Sequence, residues 1–147
     1  MHLIRILPIL AANLVVGSSI PNLFIGTIEG CGSNKYGPDW YVWPEDVSRC
    51  AGTDLGPVNS YLEHGLCDKQ TVIPGHGNIS FTGCTARIPP YGQGGPPTGV
   101  SESGVPVLIC TPASLPEADC PSPCNYGPPV TVTTNYTCVK RLKDSKR

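Results

Sequence analysis

Eight cysteines constrain this chain more than any other feature: Cys31, Cys50, Cys67, Cys84, Cys110, Cys120, Cys124 and Cys138. An even number can close completely into bridges, and bridges persist in the oxidising surroundings outside the cell. Metal is the competing use of cysteine. Only Cys120 and Cys124 have ligand-like spacing, however, and no histidine pair follows them. A zinc set of His64, Cys67 and His76 would strand an odd cysteine. The chain therefore reads as a disulfide protein with no metal and no cofactor. Roughly a hundred pairings are open to eight cysteines, and sequence does not choose among them. A staple from Cys31 to Cys138, near the two ends, is one option.

The N-terminus supplies the compartment. A polar start with His2 and Arg5 leads into the apolar run Ile6–Val16, and Gly17, Ser18 and Ser19 follow. That is the pattern of a secretory leader, with cleavage after Ser18 or Ser19 as the best fits. The run falls short of the ~20 apolar residues of a spanning helix, and Pro8 and Asn13 interrupt it. The expected organisation is a leader over 1–18, one cysteine-rich secreted domain over 19–139 and a basic tail over 140–147, without stable membrane insertion. Each bridge adds about 2 to 4 kcal/mol by restricting the unfolded chain.

Charge is unevenly placed. Between residues 20 and 139, Lys35, Arg49, Lys69 and Arg87 face ten carboxylates, whereas Lys140–Arg147 holds five cations and Asp144. An acidic body lacks the clustered basic surface that phosphates require, so nucleic acid is not an expected partner.

The local patterns predict a mainly β fold, with room for a small α+β arrangement. Leu23–Ile28 reads as a strand. In Asp39–Pro44, alternation puts Trp40 and Val42 on one face and Tyr41 and Trp43 on the other. These aromatics read as packed core, with a sugar-stacking platform of Trp40, Tyr41 and Trp43 as the sharper alternative. Pro44–Arg49 allows one helical turn, and Val58, Tyr61, Leu62 and Leu66 are spaced for a short helix. Thr71–Ile73 and Ile79–Thr82 around a Pro/Gly turn form a hairpin. Val105–Cys110 is a buried or edge strand, with Pro106 favouring an edge or a strand start. In Val130–Val139, the residues Val130, Val132, Thr134, Tyr136 and Cys138 share one face on a period of two, which is assigned to the interior. Pro and Gly fill eight of the eleven positions from Pro89 to Gly99. That segment and the Pro-rich Thr111–Pro129 read as long loops within one domain.

Chemistry finds few carriers. Glu63, His64, His76 and Arg87 are residue types that a small hydrolase or ribonuclease would use, but Glu63 and His64 are adjacent and point apart. No Gly-x-Ser-x-Gly elbow is present, and oxidised cysteines leave no thiolate nucleophile. Two sequons, Asn78-Ile79-Ser80 and Asn135-Tyr136-Thr137, place asparagine on the predicted polar face of a strand, where a glycan fits.

Leader, eight later cysteines, acidic body and Pro/Gly loops together resemble the fungal small secreted cysteine-rich proteins of the candidate-effector type. The resemblance is compositional and spans the chain. It implies release outside the cell and, as an effector-like virulence or interaction factor, binding to a host or extracellular protein or polysaccharide. The expected function is non-enzymatic binding, with the loops Pro89–Gly99 and Thr111–Pro129 as contact surfaces. Its rivals are a small extracellular hydrolase or ribonuclease, and a carbohydrate- or cell-wall-binding protein.

Overall fold

Alternating and β-branched residues build nearly every element of the chain. The structure, a computed structural model, describes residues 20–29, 37–58, 62–87, 94–121 and 129–140. Eight strands run through them: β1 (Leu23–Glu29), β2 (Asp39–Pro44), β3 (Thr53–Pro57), β4 (Gln70–Val72), β5 (Asn78–Thr82), β6 (Gly99–Glu102), β7 (Val105–Cys120) and β8 (Val130–Lys140). They form one antiparallel sheet, ordered β3-β2-β1-β8-β7-β6-β5-β4, that curls into a nearly closed barrel. At the open seam the Lys69 ammonium donates to the Leu55 carbonyl of β3.

Among the described residues, three bridges staple the sheet: Cys50–Cys120, Cys67–Cys84 and Cys110–Cys138. The option of a Cys31–Cys138 staple is thereby corrected. Cys138 lies directly opposite Cys110 in the β7–β8 ladder, so the sheet register chose its partner. Cys31 and Cys124 lie outside the described residues.

Side-chain alternation divides the core between the two faces of the sheet. Leu23, Ile25, Val42, Ile79, Phe81, Val100, Leu108 and Cys138 fill the barrel interior. Burying one such aliphatic side chain is worth ~1.5–3 kcal/mol. Tyr41, Trp43, Cys120, Val130 and Val132 form a second cluster on the outer face, with Phe24 and Ile28 against it. Its lid is the β2–β3 connection. Cys50 bonds Cys120, Arg49 Nη1 donates to the Pro116 carbonyl at 2.7 Å, and Gly52 lies where an added Cβ would strike the Tyr41 ring.

The predicted alternation of β2 holds: Trp40 and Val42 pack inward, and Tyr41 and Trp43 outward. The prediction for β8 needs correction. Val130 and Val132 join the outer cluster, whereas Tyr136 and Cys138 join the interior. A bulge intervenes, because Ile25 opposes Tyr136 but the next residue, Gly26, opposes Thr134. Asn135 is the extra residue, and one extra residue reverses the phase of everything beyond it. Gly26 is required opposite, since a Cβ there would sit 1.8 Å from the Thr133 carbonyl oxygen.

Three other expectations change. Thr111–Pro129 is not a loop over its first half, because β7 continues to Cys120. Its prolines are tolerated since β7 pairs with β6 only as far as Ile109 and thereafter has β8 alone as a neighbour, with irregularities after Pro112 and Leu115. Pro44–Arg49 is a turn followed by a 3-10 turn at Arg49–Ala51. The helix expected over Val58–Leu66 is replaced, in its described part, by a turn and a 3-10 turn at Gly65–Asp68; Asn59–Tyr61 lie outside the described residues.

Strands β3 and β6 were not legible as strands. The cue for β6 is the dipeptide Ser103-Gly104, which forms a two-residue hairpin turn between β6 and β7 with positive φ at both residues (49° and 83°). The predicted 71–82 hairpin forms as β4–β5, with Thr71 opposite Ile79.

Candidate functional site

The β4–β5 hairpin decides where the titratable residues go. His76 sits in its turn, with its amide donating to the Ile73 carbonyl at 2.9 Å. Glu102, buried at the end of β6, accepts from the Gly77 amide at 2.9 Å and stands 3.8 Å from His76 Nδ1. His64, Glu63 and Arg87 gather beyond the other end of the hairpin. There the Arg87 amide donates to the Glu63 carbonyl at 2.8 Å, and Gly94 packs against the His64 backbone. The five residues of β5, at ~3.3 Å each, separate the two groups by on the order of 15 Å. His64 is further engaged locally: its amide donates to Asp68 Oδ2 at 2.7 Å, and its ring Nδ1 lies 3.3 Å from Oδ1. The structure thus brings Glu63, His64 and Arg87 into one neighbourhood and leaves His76 out of it. Cys67 is bridged to Cys84 and has no thiolate to offer a metal beside His64.

Two acids that sequence reasoning passed over lie at the seam. Asp39 opens β2 and is buried, and Asp54 accepts from the Gly56 amide at 2.7 Å. Burial is the main cause that raises the Asp39 carboxyl above the ordinary carboxylate value; the charge of Asp54 adds to it, and Lys69 opposes both. A shifted carboxyl beside a second acid can mark an acid/base pair. No signal in the sequence marked Asp39, because burial raised its pKa and burial is a tertiary property.

The aromatics are spent on packing. Trp43 is 3% exposed and Tyr41 5%, with the Phe24 ring stacked 5.6 Å from Trp43. Neither offers a free face to a sugar ring, and Trp40 packs against the interior cluster. Burial also raises the Tyr41 and Tyr136 hydroxyls above the ordinary tyrosine value.

What remains open to solvent is apolar surface on the outside of the barrel. Inward packing of Leu108, Cys110 and Cys138 turns Ile109 and Val139 outward, where they oppose each other across β7 and β8. They are 40% and 42% exposed. The same row continues through Gly99 to Thr82, because Ile109 pairs with Gly99 and Gly99 with Thr82. Glycine leaves that row without a side chain, and a depression of ≈ 220 Å³ lies there, lined by Thr82, Thr98, Gly99, Leu108, Ile109 and neighbouring β7 residues.

Of the two loops expected to make contacts, Pro89–Gly99 falls partly outside the description (residues 88–93). Its second half is tied down, with the Gly95 amide on the Thr85 carbonyl and the Thr98 amide on the Thr82 carbonyl, both at 2.8 Å. Asn78 is exposed at the start of β5. Asn135 is only half exposed, with its amide oxygen buried in the bulge. No protein family, curated protein or solved structure matches the chain.

Proposed function

We propose that the protein is a secreted, non-enzymatic binding protein of the effector type. Its rigid barrel presents the outer face around Ile109, Val139 and Gly99 to a protein partner outside the cell. The observation that carries this reading is the exposed Ile109–Val139 pair beside the depression over Gly99. Apolar side chains beside a dent lined in part by Thr82 and Thr98 suit a protein side chain. A protein is favoured over a polysaccharide because the rings best suited to stack on sugars, Tyr41 and Trp43, are buried. Three bridges and a leader-like N-terminus agree with export. The acidic body favours a partner with basic or neutral surface.

The hydrolase reading is weaker. It needs two acid/base groups around one substrate. Glu63 and Arg87 meet through backbone atoms, the His64 ring is engaged by Asp68, and His76 is a strand's length away.

The test compares wild type with an Ile109→Glu/Val139→Glu double variant whose thermal midpoint matches wild type. A partner retained from extracellular fluid by wild type should be held at least ~10-fold more weakly by the variant, equivalent to about 1.4 kcal/mol. Equal retention by both would remove this face from the proposal. Wild type binding to insoluble chitin, cellulose or glucan, with no protein retained, would favour the polysaccharide reading instead. A hydrolytic activity lost in a His64→Ala/His76→Ala variant would restore the enzyme reading.

A further inference from the structure

The edge strand β4 carries an exposed valine opposite an exposed asparagine within a sequon. Val72, the last residue of β4, is 56% exposed and pairs directly with Asn78. Directly paired residues send their side chains to the same face, with Cβ atoms ~5 Å apart. Ile79 and Phe81 point into the barrel, so Asn78, Ser80 and Thr82 point out. Asn78 and Ser80 of the sequon thus share the outer face of a strand whose neighbour, β4, has no hydrogen-bonded strand beyond it among the described residues and meets β3 only across the open seam. The other sequon is differently placed. Asn135 is the bulge residue of β8, half exposed, and its amide oxygen is buried. The amide nitrogen of the same planar group sits only ~2 Å from that oxygen. Burial of that oxygen fixes the plane of the amide, whereas the Asn78 side chain is exposed.

We propose that Asn78, and not Asn135, carries an N-linked glycan, and that this glycan covers Val72 and blunts the β4 edge against pairing with a second copy of the chain. The inference rests on the secreted reading above, since the donor is a lipid-diphosphate-linked oligosaccharide of the secretory pathway. In the transfer, Asn78 Nδ2 forms a bond to the anomeric carbon as the bond from that carbon to the diphosphate oxygen breaks. The amide loses one proton to base, and the lipid diphosphate departs. An exposed edge strand is a template for intermolecular pairing, and bulk placed beside it is one way of preventing that.

The experiment expresses the full chain, leader included, in a glycosylating eukaryotic host and maps the secreted wild-type protein by peptide mass spectrometry. An enzyme that cleaves the sugar–asparagine bond should convert Asn78 to aspartate and leave Asn135 unchanged. An Asn78→Gln variant should lose the whole glycan mass and self-associate at concentrations where the glycosylated protein is monomeric by light scattering. Adding Val72→Thr should reverse that association. Secreted protein unmodified at Asn78, or modified at Asn135 instead, overturns the site while leaving the secreted reading intact. An Asn78→Gln variant that stays monomeric overturns the covering role. Retention of the chain inside the cell with its leader uncleaved defeats both readings together.

Discussion

Asp39 shows how much a single residue can take from its surroundings. It reads in sequence as one more surface acid, yet it is buried, with one carboxylate oxygen lacking a hydrogen-bond partner. Its pKa is raised by burial first and by Asp54 second, with Lys69 opposing. The sign follows directly. A carboxyl with a folded pKa above its unfolded value destabilises the fold once ionised, so the cost is absent below the unfolded value and grows as pH rises through the folded one. Asp39→Asn should therefore raise the thermal midpoint at pH 7 and raise it less at pH 3. Scans of both proteins at the two pH values check this, and a gain as large at pH 3 as at pH 7 would contradict it. Trp43 makes the complementary case. Its place on the face opposite Val42 follows from alternation alone, whereas its burial depends on distant residues, Phe24 of β1 and Cys120, Val130 and Val132 of β7 and β8, gathering in the same cluster.

Among elements, β8 is the most instructive. Its period of two is unbroken in sequence from Val130 to Val139, and a plain reading assigns one interior face to all the even positions. The bulge at Asn135 is invisible to that periodicity because it is a property of pairing with β1. It lets one strand serve two clusters, with Val132 outward and Cys138 inward. Deleting Asn135 should restore simple alternation and, with Val130 and Val132 held in the outer cluster, turn Cys138 to the wrong face. The expected product lacks the Cys110–Cys138 bond, has two free thiols on alkylation and mass measurement, and is less stable by about 3 kcal/mol or more. An intact Cys110–Cys138 bond in the deletion variant would show that the bulge does not set the register. Strand β7 teaches a related lesson. Pro112 and Pro116 argue for a loop if every strand position must donate to two neighbours. Beyond Ile109, however, β7 has β8 alone.

For the molecule as a whole, the two clusters answer to different constraints. Among the described residues, the barrel interior is closed by the sheet and by Cys67–Cys84 and Cys110–Cys138, whereas the bridge that ties down the outer cluster is the long Cys50–Cys120, with a sequence separation of 70. A Cys50→Ala/Cys120→Ala variant should lose roughly 4 kcal/mol. Its Trp43 emission should shift to the red as the lid loosens, with Cys67–Cys84 and Cys110–Cys138 kept. An unchanged denaturation midpoint and an unshifted emission would mean that the lid is held without the bridge. Sequence alone determined the class of molecule, a mainly β chain held by oxidised cysteines, because thiol number and residue alternation are local and chemical. It also determined that Tyr41 and Trp43 share a face. Only the tertiary structure decided which cysteine meets which, where β8 changes face, that His76 stands apart from His64 and Arg87, and that Ile109 and Val139 are left in solvent. Each of those is fixed by strand register, and register is settled by how distant segments pair, which no local pattern in the chain records.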